Sequence, residues 1–184
     1  MTQVDQNQIV FAVRALLRAV GEDPDRAGLV DTPARVGRLW AEFIDYDPGN
    51  LGTSFDVVQV DQMVAVSGIR VWSLCEHHLL PFWTDLTIAY IANDRIVGLS
   101  KMARMAHKAA HRLQLQERLV HDVANELSGV LEHDDVAVLG TGEHLCMTMR
   151  GIKTPGLFHT SVLRGAFRDP AVRNELHQHT GRPT

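Results

Sequence analysis

A chain of 184 residues, 45% hydrophobic and 22% charged, is long enough for one domain with a real core. Its net charge of −4 and pI near 6.2 exclude general nucleic-acid binding, which needs a basic surface, but allow a phosphorylated small molecule held by local basic clusters. No uncharged apolar run approaches the roughly 20 residues of a membrane span, no signal peptide is read, and two cysteines suit a reducing compartment, so a cytoplasmic protein without membrane or nucleic-acid partners is expected.

In chain order, Ile9, Val10, Val13, Leu16, Leu17 and Val20 recur at helical spacing over residues 8–20, with Gly21 as a stop. "DTPARVGRLWAEFIDY" predicts a second helix with Thr32 as N-cap, Pro33 at its first position and Val36, Leu39, Trp40, Phe43 and Ile44 on one stripe. "FDVVQVDQMVAVSGIRVWSL" and "DLTIAYIANDRIVGLS" read as antiparallel strands, with a turn at Asn93-Asp94. "SKMARMAHKAAHRLQLQERLVHDVANELSGVL" has a 3.6-residue period and no proline, which predicts one long helix or two broken near Leu113 to Gln116. "DVAVLGTGEHLCMTMRG" and "FHTSVLRGAF" return to strand, and "DPAVRNELHQH" predicts a last helix capped by Asp169 with Pro170 at its first position. That order predicts an α+β fold with helices on one face of an antiparallel sheet.

Chemistry concentrates in "SLCEHHLLPFW", where Cys75, Glu76, His77 and His78 are consecutive. Cys75 and His78, three apart, can converge on one ion from a turn, and His144 and Cys146, two apart in a predicted strand, share a face. Two thiolates and an imidazole suit Zn²⁺, and three protein ligands with one open position describe a catalytic site whose spare histidines move protons. Spacing alone supports two buried free cysteines equally well, and a Cys75–Cys146 disulfide is the remaining alternative. His107 and His111, four apart, imitate a metal pair, but with no third ligand nearby they read as a partly exposed helix face.

"GEDPDRAGLVDTPARVGRLW", "SLCEHHLLPF", "VGLSKMARM", "RLQLQERL", "HLCMTMRGI" and "TSVLRGAF" together resemble the GTP cyclohydrolase I family, in the family's order, over roughly residues 21–167. The resemblance implies one domain over 1–184, with a helical part at 1–50 and a tunnelling-fold (T-fold) core at 51–184. It implies subunits joined into a β-barrel, and a homodecamer of two pentamers with active sites at subunit interfaces. It makes Cys75, His78 and Cys146 the zinc ligands and His77 and His144 the unligated proton-transfer groups, with Ser100 at the ribose. Gln116 and Glu117 would read guanine. Lys101, Arg104 and Arg150 would hold the triphosphate, joined by Arg35 and Arg38 from a neighbouring subunit. The implied reaction is zinc-dependent conversion of GTP to 7,8-dihydroneopterin 3′-triphosphate and formate, serving tetrahydrofolate or a specialised pterin or deazapurine.

Taken alone, several of these residues read more plainly. "QER" is a solvated helix face, Arg35 and Arg38 are surface charges at i,i+3 spacing, Ser100 is a helix N-cap, and Glu76 is a structural or orienting carboxylate. The chain departs from the family pattern at Thr84, Thr87 and Ala92, where glycine, histidine and proline are usual, and "GTGEH" is also unusual. A thioimide-forming nitrile reductase of the same superfamily leaves the zinc triad unexplained. A protein that keeps metal and assembly without turnover leaves His77, His144 and Glu117 unexplained.

Overall fold

The computed structural model describes residues 3–56 and 61–181, so residues 57–60 of the expected first long strand lie outside the described residues. The chain divides into two compact units, Met1–Asp47 and Pro48–Thr184.

The first unit pairs α1 (Gln6–Ala19) with α2 (Thr32–Ile44). Asp5 starts α1, its side chain accepting from the Gln8 N–H at 3.0 Å. The cap of α2 is Asp31 and not Thr32, which is already the first helical residue; the Asp31 carboxylate takes Arg35 Nη2 at 3.2 Å and leaves the helix end without a side-chain cap. The apolar stripe of α1 outruns its cover within the chain: Leu16 and Val20 are 60% and 65% exposed, and Phe11 is 73% exposed.

The second unit is built on a five-stranded sheet in the order β5-β2-β3-β6-β7. β2 (Gln62–Cys75), β3 (Pro81–Ala92), β6 (Val136–His144) and β7 (Phe158–Leu163) pair antiparallel in succession. The long helical pattern is two helices, α3 (Leu99–Ala110) and α4 (Gln116–Leu131), separated by the two-residue strand β5 (Leu113–Gln114). β5 pairs with the end of β2 in parallel, so the sheet is mixed and not wholly antiparallel. Between them the chain runs back along β3 and then through β4 (Arg95–Val97) and α3, a connection long enough to bring β5 alongside β2 in the same direction, as a parallel neighbour requires. Asn93 and Asp94 do bend the chain, but not into a hairpin: β4 leaves the large sheet to pair with β1 (Ser54–Asp56). The Val97 N–H donates to the Tyr90 hydroxyl at 2.9 Å and ties the small sheet to the large one.

Helices cover both faces of the large sheet, correcting the one-face expectation. Leu86, Ile88, Tyr90, Val136 and Val138 pack with Met102 and Met105 of α3 and Leu119, Val123 and Leu127 of α4. The alternate residues Ala89, Ala137 and Leu139 pack with Phe167, from a 3-10 turn at Gly165–Arg168, and Leu176 of α6 (Pro170–Thr180). The cause is visible in "LTIAYIA" and "VAVL": central strands apolar at both parities must be buried on both faces. Asp169 caps α6 as expected, accepting from the Ala171 N–H at 2.7 Å.

Candidate active site

Strand ends gather the site. β2 stops at Cys75 and β6 at His144, and both flank the start of β3, where Phe82 sits opposite Ser73 on one side and His144 on the other. The "CEHH" turn is closed by Cys75 N–H to Leu80 O and Leu79 N–H to Cys75 O, both 2.8 Å, with Leu79 at φ 58°. The parallel pairing of Cys75 with Gln114, extended by Glu76 N–H to Gln114 O at 3.2 Å, sets the first residues of α4 beside this turn.

Cys146 is not on a strand, which corrects the expectation that it shares a β face with His144. The β3 ladder ends at Phe82 and His144, so the chain beyond has no partner and closes instead into one helical turn, α5 (Leu145–Thr148). The two cysteines nevertheless come together as free thiols, that of Cys146 hydrogen-bonded with that of Cys75. Burial, and then the neighbouring Cys75, push the Cys146 thiol up to about 11, so the Cys146 sulfur is suited to ionise against a cation. The third expected ligand is turned elsewhere: His78 Nε2 lies 2.6 Å from Arg150 Nη1. Among the described residues no three His, Cys, Asp or Glu side chains are arranged around one point as a metal site. The paired thiols fit a zinc ion by their chemistry, and His78 would have to exchange Arg150 for it.

His144 is clamped. Its ring stacks on Phe82 at 4.4 Å with the planes 6° apart and meets Phe158 edge-on at 5.6 Å. Its Nε2 is 3.1 Å from Gln116 Oε1. Burial lowers its pKa, with Glu117 opposing and His77 adding to the effect, so the ring is held toward its neutral form. Gln116 is fully buried and its amide engaged at both ends: Nε2 donates to Phe158 O at 2.9 Å, Thr160 Oγ1 at 3.1 Å and Gly140 O at 3.3 Å. Glu117, the next residue, is exposed in the first turn of α4, where a carboxylate is favoured by the helix dipole.

Glu76 has a definite partner that the sequence reading missed. Arg118 grips it through Nη1 at 2.7 Å and Nη2 at 3.1 Å, and this hydrogen bonding holds the Glu76 carboxyl below its ordinary range. The fork ties the "CEHH" turn to α4; only the adjacency of Arg118 to Glu117 hinted at it. A cavity of about 440 Å³ opens here, lined by Cys75, His77, Glu117, His144 and Cys146 and walled by Leu115, Met147, Leu157 and Phe158.

A GTP cyclohydrolase I family model matches residues 9–181. The chain belongs to the GTP cyclohydrolase I family. It is 48% identical to GTP cyclohydrolase 1 of Rhodopirellula baltica, over 95% of this chain and 78% of that one. It is 45% identical to GTP cyclohydrolase 1 of Aquifex aeolicus, over 94% of this chain and 95% of that one. Finegoldia magna GTP cyclohydrolase 1 is 44% identical, over 97% of this chain and the whole of that one.

In this member of the GTP cyclohydrolase I family, Thr84 and the "GTGEH" segment lie against each other. Thr84 is paired with Gly142 across β3 and β6. A Cβ at Gly142 would collide with Trp83 O and lie 2.7 Å from Gln116 Oε1, and one at Gly140 would lie 3.1 Å from the Thr84 methyl. Glycine at 140 thus leaves room for the Thr84 methyl, and glycine at 142 for Trp83 O and the Gln116 amide. Gly142→Ala is expected to destabilise the protein by roughly 1–3 kcal/mol, seen as a lower urea midpoint with an unchanged slope. Thr87 is buried with no hydrogen-bond partner for its hydroxyl among the described residues.

The cationic set is spread over three segments. Lys101 and Arg104 are one turn apart on α3, and Arg150 follows α5 with its guanidinium on His78. Ser100 does not cap α3: Gly98 is the cap and Ser100 the second helical residue, exposed. Arg35 and Arg38 are exposed on α2 in the first unit.

Proposed function

We propose that this GTP cyclohydrolase I family member holds zinc through Cys75, His78 and Cys146 and converts GTP and water to 7,8-dihydroneopterin 3′-triphosphate and formate. One observation carries the reading: two thiols, two histidines and an exposed carboxylate from three distant segments line one cavity. Zinc, when bound, makes water nucleophilic at neutral pH, which attack on an aromatic purine carbon requires.

The protein's own groups divide the remaining work. Glu117 accepts the guanine N1–H and exocyclic amine on its two carboxylate oxygens, a pairing adenine cannot offer. His144, stacked on Phe82 and edge-on to Phe158, moves a proton at purine N7, and His77, exposed on the turn, moves protons at the ribose and the opened ring. Ser100 contacts the ribose. Lys101, Arg104 and Arg150 neutralise the triphosphate, and in an oligomer Arg35 and Arg38 reach it from a neighbouring subunit. Gln116 belongs to the guanine side of the site through its contact with His144 and its adjacency to Glu117.

The assembly read here is a homodecamer of two pentamers on the T-fold plan, with residues 1–184 working as one domain. The uncovered apolar residues of α1, and Ile152 and Leu157 at 74% and 57% exposure, support further burial between copies. A cytoplasmic location, without nucleic-acid or membrane partners, accords with the free thiols and the acidic net charge. Among the described residues no helix is long and apolar enough to cross a membrane.

The deciding experiment incubates zinc-loaded protein with GTP, then measures neopterin fluorescence after iodine oxidation, and formate separately. Neopterin with one formate per GTP is the expected result. Formate alone would confine the activity to ring opening and hydrolysis of the resulting formamide, and neither product would overturn the reading.

A further inference from the structure

The amide of Gln116 has only one orientation consistent with its surroundings. Its Nε2 end faces two backbone carbonyls, Phe158 O at 2.9 Å and Gly140 O at 3.3 Å, which can only accept hydrogen bonds. That end must be the NH₂, so the end facing His144 is the carbonyl oxygen. An oxygen acceptor 3.1 Å from His144 Nε2 requires a proton on that nitrogen. Thr84 Oγ1, 3.4 Å from the same oxygen, donates to it and adds no competing acceptor. Gln116 is held in place by full burial and by the three acceptors its NH₂ engages, Phe158 O, Thr160 Oγ1 and Gly140 O.

We propose that Gln116 is a positioning residue for His144: it fixes the imidazole as the tautomer protonated at Nε2 and leaves Nδ1 as the nitrogen that serves the substrate. The role assigned to His144 in the reaction rests on the function proposed above, whereas the tautomer rests on the hydrogen bonds alone. Stacking on Phe82 fixes the plane of the ring, but it cannot choose between the two nitrogens or prevent a half-turn flip. The Gln116 oxygen makes that choice. Gln116 is thus separated in role from its neighbour Glu117: the buried residue orients the protein's histidine, and the exposed one meets the base.

The test is nitrogen-15 NMR of the zinc-loaded protein labelled at histidine, with the His144 signals assigned by their loss in His144→Gln. At a pH where the NMR shifts show the ring to be neutral, wild-type His144 should carry its proton on Nε2; the Nδ1–H tautomer would overturn the proposal. In Gln116→Met, similar in length but without an acceptor, the His144 signals should shift toward a tautomer mixture. That variant should keep one zinc per chain and a KM for GTP within about twofold, while kcat falls on the order of 10²-fold. A raised KM with kcat intact would make Gln116 a substrate contact and overturn the positioning role. Should Gln116→Met fail to fold, Thr160→Val removes one partner of the amide: kcat several-fold lower at unchanged KM is expected, and unchanged kcat counts against the proposal. If wild-type protein makes no neopterin, the functional reading fails, and its His144 spectrum still decides the tautomer.

Discussion

Cys146→Ala is expected to lose zinc and activity together while keeping its fold. Cys146 sits on the single-turn helix α5, only partly buried, and contributes little to the core beyond its contact with the Cys75 thiol. Without it the proposed site has one thiol and an imidazole that Arg150 already engages, too few ligands for tetrahedral zinc. Metal affinity should drop by well over the roughly 10–100-fold that loss of an outer hydrogen-bond partner costs. Chelator competition reads the affinity, and neopterin formation reads the activity. A variant that keeps one zinc per chain would show that Cys146 is not a ligand and move the search to His77 or His144.

Glu117→Ala should instead separate metal from turnover. The side chain is exposed in the first turn of α4, on a different element from either thiol, so its removal should spare both fold and zinc. Guanine would lose two hydrogen bonds to a charged acceptor, each contributing about 1.5–3 kcal/mol, which together correspond to roughly 10²–10⁴ in kcat/KM. Inosine triphosphate, lacking the exocyclic amine, should lose only about half of that free energy on the same substitution. GTP kinetics equal to those of the wild type would remove Glu117 from base recognition.

Much of the fold is legible because its signals are local. Asp169 and Pro170 announce α6, the stripe from Ile9 to Leu17 announces α1, and the apolar runs of β3 and β6 announce buried central strands. Those same runs also carried the second buried face, but whether a continuous apolar strand is covered once or twice depends on a helix that comes only at the end of the chain. β5 and α5 are illegible for another reason: two residues of strand and one turn of helix are shorter than any period that could reveal them. In the site, the "CEHH" and "HLC" spacings bring out both thiols and the histidines His77 and His144 that line the cavity with them, because such groups close in sequence leave a pattern. The Arg118–Glu76 fork and the Gln116–His144 contact join residues 42 and 28 positions apart, and no pattern along one chain records such pairings. Thr84, Gly140 and Gly142 look like unrelated oddities until the β3–β6 register sets them against one another.

The parallel rung of β5 on β2 acts as a ruler. Leu74 with Leu113 and Cys75 with Gln114 lock two segments at a fixed offset, and α4 begins two residues later. An added or deleted residue between Gln114 and Glu117 would turn the helix by about 100° and carry the carboxylate off the cavity while the cysteine stayed in place. The same turn would carry Leu119, Val123 and Leu127 off the core, so this spacer is counted in single residues and indels here should cost function and stability together.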